Sequence, residues 1–505
     1  MTTLIKNGII VDGSLRAPFK GDIYIRNGVI SAIGNLGRQS AETQINAAGS
    51  YVSPGFIDVN SSSDHYLTLI TNSKQQDFLF QGVTTTFGGL CGSSLAPLLY
   101  CELLSIRKWA NDLSKINVDW KTVDDFLRTL KKRGLGVNFG TLLGHSTVRR
   151  ALVGESLREL TNNELAVFEK ILLKSLDECA FGFSTGLSYV HAHNTSHHEL
   201  VRLISIVARK GGLYATHLRS ETTGLISSIQ ETVEIGKETK VKTLINHLRP
   251  IKGFEAEYSK ALLMLSQSAA DLQIYFDLYP FEMSHVPIYS LLPKWVQNGG
   301  IEIMLKNIKE KSKRLKILKD FHLEGDGDDI IIASAPRLEY LVGKTLKEFS
   351  KKRNIDIKEG LLQLMDITQL QCTVFCRNVD IELTKKSLAH ERALISSNAE
   401  SSEPGSFKND RSTSTFTKFL DIVLRENLLS IEAAVQKISA TPAILFGLKN
   451  RGLLKEGMKA DITIFNHDMS NGTKIDYVLM NGEVVVENNI LKKERSGEIL
   501  KRTNY

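Results

Sequence analysis

The chain has 505 residues, of which 42% are hydrophobic, which is enough to bury a large core in one large domain with a smaller one beside it. Its net charge of +7 is the difference between 63 basic and 56 acidic residues, and the basic residues are scattered apart from two runs at 306–319 and 492–502. This distribution argues against a nucleic-acid binder, and no stretch reaches the roughly 18 apolar residues that a transmembrane helix needs.

The cysteines and the first residues of the chain indicate the cellular compartment in which the protein is expected. Five cysteines are an odd number, and they lack paired zinc-finger spacing, which favours reduced thiols. The first residues have no positively charged end followed by a long apolar core, the pattern of an export signal. We therefore expect a cytoplasmic protein without a membrane or nucleic-acid partner, and the sequence makes no prediction of its oligomeric state.

Both ends of the chain have the alternating pattern of half-buried strands. The pattern covers residues 3–11, 22–33 and 44–52 at one end, and 461–465 and 477–486 at the other. The pair Asn481-Gly482 in the last segment is typical of a hairpin turn. The simplest packing joins the two ends, so we predict a composite β-sandwich from residues 1–53 and 443–505.

Between these ends, eight apolar runs rich in β-branched or aromatic residues alternate with helix-length segments. Helical periodicity is clearest over residues 155–176, 196–208, 223–239 and 431–439. The alternation predicts an α/β fold, a (β/α)8 TIM-like barrel over residues 54–442. The eight predicted strands are 56–62, 83–91, 137–145, 181–189, 212–220, 242–249, 273–281 and 392–400.

The segment between the seventh and eighth predicted strands is too long for a single crossover helix. Its centre, residues 301–320, is basic and has helical periodicity. We predict an inserted subdomain at about residues 285–345, lying over the mouth of the barrel where the seventh strand ends.

Three strand ends carry residues that bind metals. Cys91, His217 and His247 each end a predicted strand, and the carboxyl ends of barrel strands converge on one mouth. A lone histidine near an apolar run is more often a hydrogen-bonded core residue. A thiolate and two imidazoles together form a plausible three-ligand zinc site with a fourth position open for water, so we predict one tightly bound zinc ion.

The other strand ends carry polar residues with less specific chemistry. Zinc polarises a carbonyl and lowers the pKa of bound water, which suits amide hydrolysis, but this reaction usually also needs a carboxylate to carry the proton. The end of the eighth strand has Asn398 instead, and the candidates for a substitute are Glu400, Asp64 or a residue of the insertion. His145, at the third strand, is either a second-layer or substrate contact or simply the first polar residue of a helix.

Several longer motifs together resemble the D-aminoacylase branch of the amidohydrolase superfamily, the N-acyl-D-amino-acid and N-acyl-D-glutamate deacylases. Two of the most specific motifs are Cys91-Gly92-Ser93-Ser94-Leu95-Ala96-Pro97 and Tyr214-Ala215-Thr216-His217-Leu218-Arg219. The resemblance covers nearly the whole chain. The other matching segments are residues 53–59, 81–85, 144–150, 183–187, 246–248, 278–280, 446–448 and 457–461.

The resemblance implies a fold, an activity and a set of site residues. The fold is a barrel with a two-ended sandwich and an insertion near the seventh strand. The activity is hydrolysis of a linear amide, a C–N bond other than a peptide bond, in an N-acyl amino acid or related small molecule through zinc-activated water. The zinc ligands are then Cys91, His217 and His247, and Tyr279 and Arg411 recognise the substrate carboxylate.

The chain departs from the family pattern at three positions. A His-x-His pair for a second metal normally ends the first strand, and here those places hold Asn60 and Ser62. The catalytic aspartate of the family corresponds to Asn398. Two hypotheses follow: an active amidohydrolase with a substitute proton carrier, or an inactive relative, a pseudoenzyme, that keeps a zinc-binding pocket for a ligand or a partner.

Overall fold

The computed structural model describes the chain except for residues 101–102, 107–108, 110–115, 270, 298–299, 322, 324, 403–408 and 503–505. Cys101 lies outside the described residues. Among the residues that are described, no helix combines the length and the apolar character needed to cross a membrane.

The N-terminal segments form strands of one mixed sheet, as their alternation predicts. Strand β1 pairs antiparallel with β2 and parallel with β4 and β5. The prediction of a single strand over 22–33 is wrong, because Asn27 and Gly28 both have positive φ and form a two-residue hairpin turn. The strands are β1 (Thr2–Ile10), β2 (Phe19–Arg26), β3 (Val29–Gly34), β4 (Thr43–Asn46) and β5 (Tyr51–Pro54).

The centre of the chain alternates between parallel strands and helices. The parallel strands form two sheets, and in both the strands are neighbours in the order of the chain. The first sheet ends at β8 and the second begins at β9, and one residue separates these two strands. The strands are β6 (Phe56–Asp58), β7 (Val83–Gly88), β8 (Asn138–Thr141), β9 (Leu143–Gly144), β10 (Gly182–Gly186), β11 (Leu213–His217), β12 (Lys242–Ile245) and β13 (Ile274–Leu278). All eight predicted strand segments contain strand, although each ends earlier than predicted, and the α/β class is confirmed.

Helices connect these strands. The helix predicted over 155–176 begins at Asn162 instead, because the Thr161 side chain accepts a hydrogen bond from Glu164 N and the Glu164 carboxylate accepts one from Thr161 N. The helices of this part are α1 (Thr68–Thr71), α2 (Gln76–Leu79), α3 (Val123–Arg133), α4 (His145–Val153), α5 (Asn162–Asp177), α6 (Val190–His193), α7 (His197–Arg209), α8 (Leu225–Thr239) and α9 (Glu255–Gln267), with a 3-10 turn at Leu104–Ile106.

The inserted segment has a sheet and a hydrophobic core of its own. Strands β14 (Ser284–Pro287), β15 (Ile330–Ser334) and β16 (Thr373–Cys376) form an antiparallel sheet in the order β14-β16-β15. Because β16 is its central strand, the segment continues to residue 376, beyond the predicted end near 345. Its helices are α10 (Gly300–Lys309), α11 (Lys311–Asp320), α12 (Leu346–Lys351) and α13 (Ile357–Ile367), with 3-10 turns at Ile288–Leu291 and Glu339–Leu341.

Because β8 and β9 are two parts of the third predicted strand, the eighth parallel strand is β17 (Ala393–Ile395), which pairs with β13 and approaches β6. Asn398 N donates to Asn60 O at 2.9 Å, and Ser62 N donates to Ala399 O at 2.8 Å. The segments that follow β6 and β17 therefore lie side by side. The remaining helices are α14 (Ile381–Leu388), α15 (Asp410–Arg425), α16 (Ile431–Ile438) and α17 (Ala440–Phe446).

The C-terminal strands join the N-terminal ones. Strand β18 pairs antiparallel with β5, so that both ends of the chain contribute to a nine-stranded sheet. The strands are β18 (Ile462–Asp468), β19 (Gly472–Met480), β20 (Glu483–Glu487) and β21 (Ile490–Leu491). The division into residues 1–53 with 443–505 and 54–442 stays a prediction.

Candidate metal centre

The three predicted metal ligands lie together. The ligand atoms of Cys91, His217 and His247 are all within 4.8 Å of one another, and the three residues are buried. Cys91 Sγ is 3.4 Å from His247 Nε2. Among the described residues, this is the one group of three or more histidine, cysteine and acidic side chains close enough to share a metal ion.

The backbone brings these side chains together at the carboxyl ends of three strands. His217 is the last residue of β11, while Cys91 and His247 follow β7 and β12 in left-handed conformations, with φ of 49° and 39°. Such values are costly for residues other than glycine, asparagine and aspartate, and besides turns they are found at active sites and ligand-binding sites. Close packing beside Cys91 needs glycine at Gly89, where a Cβ would lie 2.1 Å from a backbone oxygen.

Glu221 connects the two histidines to a nearby arginine. One carboxylate oxygen lies 3.0 Å from His247 Nδ1, and the other accepts a hydrogen bond from Arg249 Nη2 at 3.0 Å and lies 3.7 Å from His217 Nε2. Burial opposes ionisation of Glu221, but Arg249, His247 and His217 together hold its pKa below the ordinary value. The bond to Nδ1 leaves His247 Nε2 facing Cys91.

The donor set fits zinc. Zinc–sulfur and zinc–nitrogen bonds of about 2.3 and 2.0–2.1 Å at a tetrahedral angle set the two ligand atoms about 3.5 Å apart, close to the 3.4 Å between Cys91 and His247. A carboxylate on the second nitrogen of a histidine is also the usual companion of a metal-binding imidazole. The three side chains could therefore hold one ion, with Glu221 supporting His247.

A cavity of about 330 Å³ opens beside these residues. Its walls come from the strand ends and from the inserted segment, which contributes aromatic and polar side chains such as His285 and Tyr289. Burial, with a smaller effect of Arg411, lowers the pKa of His285 to about 3, so this imidazole is neutral at physiological pH. The inserted segment therefore forms part of the cavity wall, and its predicted place over the mouth of a barrel stays a prediction.

The segment after the first strand carries no metal ligand, and the side-chain amide of Asn60 in this segment binds a buried carboxylate instead. Asn60 Nδ2 donates to both carboxylate oxygens of Asp277 at 3.3 Å. Asp277 also accepts hydrogen bonds from Asn246 Nδ2, His247 N and Ser396 Oγ. This buried carboxylate ties together the ends of β6, β12, β13 and β17. Sequence reasoning treated Asp277 only as one polar strand-end residue among several.

The end of the eighth strand offers an amide to the cavity. Asn398, with φ of 42°, and Ser62 both line the cavity. Glu400 does not line it; burial raises the pKa of this carboxyl to about 7, against the smaller opposing effect of Arg411. Asp64 is buried as well, and it accepts a hydrogen bond from Gly89 N at 2.6 Å. Neither carboxyl reaches the cavity as a substitute for the family aspartate.

Of the two predicted carboxylate-binding residues, one reaches the cavity. Arg411 lines it, and its guanidinium carbon lies 4.5 Å above the ring of Tyr279. Tyr279 does not line it; its hydroxyl accepts a hydrogen bond from Arg249 Nη1 at 2.9 Å. Burial raises the pKa of Tyr279, but Arg249 and Arg411 outweigh it and lower the pKa below the usual range. Tyr279 therefore supports the two guanidinium groups, and its direct recognition of a substrate carboxylate stays a prediction.

His145 lies away from the cavity wall. It is fully buried, begins helix α4, and its Nε2 lies 2.7 Å from Glu199 Oε1, which Arg149 also contacts. The ring packs against Phe168 and Phe183. These contacts favour the alternative of a polar residue at a helix start, and a substrate-binding role for His145 stays a prediction.

Sequence reasoning missed Glu221 and Arg249. Each follows a predicted ligand closely, Glu221 four residues after His217 and Arg249 two residues after His247. The signal available was an acidic and a basic residue in the loops that leave two ligand-bearing strands. Only their spatial contact distinguishes them from solvated loop charges.

Comparison with known proteins gives the family context. Residues 408–486 match the model of the amidohydrolase family. The chain is 26% identical to D-aminoacylase of Alcaligenes xylosoxydans xylosoxydans, over 99% of this chain and 97% of the relative.

Solved structures agree. A D-aminoacylase structure, described in terms of its binuclear metal centre with one-metal activation and second-metal attenuation, is 25% identical and covers 99% of both chains at a TM-score of 0.81. N-acyl-D-glutamate deacylase from Bordetella bronchiseptica, complexed with zinc and a phosphonate inhibitor, has the same fold at a TM-score of 0.83 and 23% identity over 99% of both chains. The resemblance predicted from the motifs is confirmed.

Proposed function

We propose that this homologue of the D-aminoacylases is a metal-dependent amidohydrolase that hydrolyses the amide bond of an N-acyl amino acid. The observation that carries the proposal is the meeting of Cys91, His217 and His247 at a cavity that Arg411 also lines. A soft three-ligand site beside a buried guanidinium suits a substrate with both a polarisable carbonyl and a carboxylate.

The architecture that goes with this function is a closed (β/α)8 barrel with the site at the carboxyl ends of its strands. Two observations support closure. The eight parallel strands follow the chain order, and the segments after β17 and β6 exchange backbone hydrogen bonds at Asn398 and Ser62. The strand ends that supply the proposed ligands then face the same mouth.

In the proposed site Cys91, His217 and His247 would hold one zinc ion, which would supply Lewis acidity toward the amide carbonyl and the attacking water. Glu221 keeps His247 in the orientation that faces Cys91. Arg411 binds the substrate carboxylate, and Tyr279 together with Arg249 holds that guanidinium in place. The walls from the inserted segment exclude bulk water.

The reaction adds one water to the amide. Its oxygen bonds to the carbonyl carbon, the carbon–nitrogen bond breaks, and both protons of the water end on the departing nitrogen. The products are a carboxylate and an amino acid whose amino group is protonated. The proton transfer is the step for which this chain has lost the family's carboxylate, because Asn398 can hydrogen-bond the reacting groups but cannot accept and return a proton.

That loss favours a second candidate function. Among the described residues that line the cavity, Glu221 is the one carboxylate, and it is already engaged by His247 and Arg249. A relative that binds an N-acyl amino acid at the metal centre without turning it over would have these features. General acid–base assistance contributes about 10²–10⁴-fold, so loss of the aspartate predicts slow hydrolysis or binding alone.

The test is a metal analysis combined with a substrate panel. Protein purified from zinc-supplemented medium is expected to contain one zinc per chain and to hydrolyse N-acyl D- or L-amino acids. His247→Ala is expected to lose both the metal and the activity. His197→Ala is the matched control, because His197 is exposed and pairs with Glu238 away from the cavity.

The outcomes separate the two functions. Zinc at one per chain without hydrolysis of any substrate, but with binding of an N-acyl amino acid, supports the binding function over the hydrolytic one. Zinc-free protein, or equal zinc in the wild type and His247→Ala, contradicts both.

A further inference from the structure

A second cavity, of about 280 Å³, lies between the inserted segment and the start of helix α15, and we call it the α15 cavity. Its walls come from the segment after β13, from strands β15 and β16 of the insertion, and from helices α14 and α15. Arg411 lines both this cavity and the one beside the proposed metal ligands. Among the described residues it is the one that the two cavities share.

The polar end of the α15 cavity has hydrogen-bond donors without acceptors. Asn409 is 6% exposed, and its Oδ1 caps helix α15 by accepting a hydrogen bond from Arg411 N at 3.0 Å. Its Nδ2 has no hydrogen-bond partner among the described residues, and neither do Nε and Nη1 of Arg411, which is 2% exposed. Because a buried donor without an acceptor is unfavourable, these groups indicate an acceptor that a ligand would supply.

The substrate carboxylate of the proposed function cannot satisfy all of these donors. A guanidinium group has two edges, and each edge can bind one carboxylate. Since Arg411 lines both cavities, a substrate on one edge leaves the other edge for the α15 cavity. Asn409 lines the α15 cavity and not the one beside the metal ligands, so its Nδ2 needs a separate acceptor.

The charges around this polar end favour an anion. Helix α15 has 16 residues, and the positive end of its dipole lies at Asn409. Two carboxylates line the cavity, but Glu282 forms an ion pair with Arg377, and Asp410 is exposed to solvent. A ligand group that only accepts hydrogen bonds and carries a negative charge, such as a carboxylate, would satisfy both the unpartnered donors and the helix end.

The other walls of the α15 cavity are apolar. Lys418 also lines it, with its Nζ 4.0 Å from the centroid of the Phe281 ring, a cation–π contact that holds the ammonium group against this wall. One polar end and a larger apolar surface suit a small ligand with one anionic group and a hydrocarbon body. The apolar residues are Phe281, Met283, Ile331, Phe375 and Ile381.

We propose that the α15 cavity binds an apolar monocarboxylic acid. Its carboxylate accepts hydrogen bonds from Asn409 Nδ2 and from the edge of Arg411 that the substrate leaves free, and its hydrocarbon part packs against the apolar walls. The site requires neither the metal nor hydrolysis. If the proposed function holds, the acid released from the acyl group of the substrate belongs to this class, so the chain would bind a product of its own reaction.

The experiment is a calorimetric titration of the zinc-loaded wild type with hexanoate, hexanamide and acetate. Hexanoate is expected to bind about tenfold or more tightly than hexanamide, which has the same hydrocarbon chain without the charge. It is also expected to bind about tenfold or more tightly than acetate, because four further methylene groups are buried against the apolar walls. Equal affinities for hexanoate and hexanamide, or no binding of hexanoate, would overturn the proposal.

Two variants locate the bound acid. Asn409→Asp keeps an equally good helix cap but replaces the unpartnered donor with a carboxylate, and Ile381→Trp fills part of the α15 cavity from a position outside the metal-site cavity. Each is expected to weaken hexanoate binding by about tenfold or more. Ser430→Asp and Ile303→Trp are the matched controls, because Ser430 caps helix α16, Ile303 is exposed on α10, and neither lines either cavity.

His247→Ala separates this site from the proposed function. The variant is expected to lack zinc and activity and yet to bind hexanoate like the wild type, because no described residue of the α15 cavity is a proposed metal ligand. Hydrolysis without hexanoate binding overturns the α15 site and leaves the proposed function intact. Hexanoate binding that is lost in His247→Ala but kept in Asn409→Asp and Ile381→Trp would place the acid at the metal centre, which also overturns the α15 site.

Discussion

The two sides of the cavity wall differ in what their strand ends present. After β7, β11 and β12, a thiol and two imidazoles converge within 4.8 Å. After β6 and β17, the corresponding positions hold Asn60, Ser62 and Asn398, whose side chains are amides and a hydroxyl. Both sides are buried and both are built on parallel strands, so the difference lies in side-chain chemistry alone.

The comparison teaches that the second side, formed by the segments after β6 and β17, offers hydrogen-bond donors where the metal side offers ligand atoms. Asn60 donates to Asp277, while Ser397 donates to Asp58 from both its backbone nitrogen and its hydroxyl. Burial raises the pKa of Asp58 to about 6 even though these hydrogen bonds lower it. The second side therefore stabilises the buried carboxylates beneath it.

The largest expected effect comes from restoring a carboxylate to the second side. Asn398→Asp is expected to raise kcat for N-acyl amino acids by about 10²–10⁴-fold, because it supplies the missing proton carrier. Steady-state kinetics of the zinc-loaded protein measures the change. Asn488→Asp is the control, since Asn488 has a similar φ of 48° but lies in an exposed turn. Equal rates in the wild type and Asn398→Asp would show that proton transfer is not what the site lacks.

The next effect concerns Glu400, just beyond the second side. Its pKa is raised to about 7 in the folded chain, so its contribution to stability is fully present below its unfolded value of about 4.5 and is lost as pH rises through 7. Glu400→Gln lacks this titration, and relative to the wild type it is expected to gain up to about 3 kcal/mol of unfolding free energy between pH 4.5 and 8.5.

Urea unfolding at the two pH values measures that difference. Glu238→Gln, at an exposed carboxylate, controls for the general effect of removing a charge. A constant difference between wild type and Glu400→Gln over this range would contradict the buried, protonated state.

A third prediction tests the metal side of the cavity wall, the side that carries Cys91, His217 and His247. Glu221→Gln is expected to weaken zinc binding by about 10–100-fold, because an amide supports the His247 imidazole less well than a carboxylate does. Zinc retained per chain against chelators of graded affinity measures the loss. Glu238→Gln, whose partner His197 is outside the cavity, serves again as the control and is expected to retain zinc like the wild type. Unchanged retention in Glu221→Gln would mean that this contact does not support the site.

The smallest effect sharpens the role of the second side. Asn60→Leu removes two hydrogen bonds to buried Asp277 and is expected to lower the unfolding free energy by about 1–3 kcal/mol. Asn466→Leu removes an equivalent pair to Asp476 in the terminal sheet, where water can replace it, and is expected to cost less. Equal losses in the two variants would contradict a special role for burial at Asp277.

The sequence predicted the metal side better than the second side. Cys91, His217 and His247 were identifiable because their residue types are chemically specific and each ends an apolar run. The contacts of Tyr279 and His145 could not be predicted, because they depend on neighbours distant in sequence, Arg249 for one and Glu199 for the other. Thr161 and Glu164 form the capping box that starts α5, and both were visible in the sequence. The helical periodicity alone predicted an earlier start, at residue 155.

Other parts could not be predicted because nothing local encodes them. The inserted segment reaches Cys376 because β16 pairs with both β14 and β15, a contact between strands up to about ninety residues apart. Asp277 is one aspartate in a buried strand, and its four donors come from three other strand ends. Such convergence is a property of the fold and has no local sequence signature.

The left-handed backbone at Asn398 has an evolutionary consequence. At this φ, glycine, asparagine and aspartate are the residues that the chain accommodates most readily, so the conformation filters which substitutions a lineage can sample without losing the fold. Asparagine and aspartate codons differ by a single nucleotide. A carboxylate at this position is therefore one nucleotide change away, on a backbone that accommodates both residues.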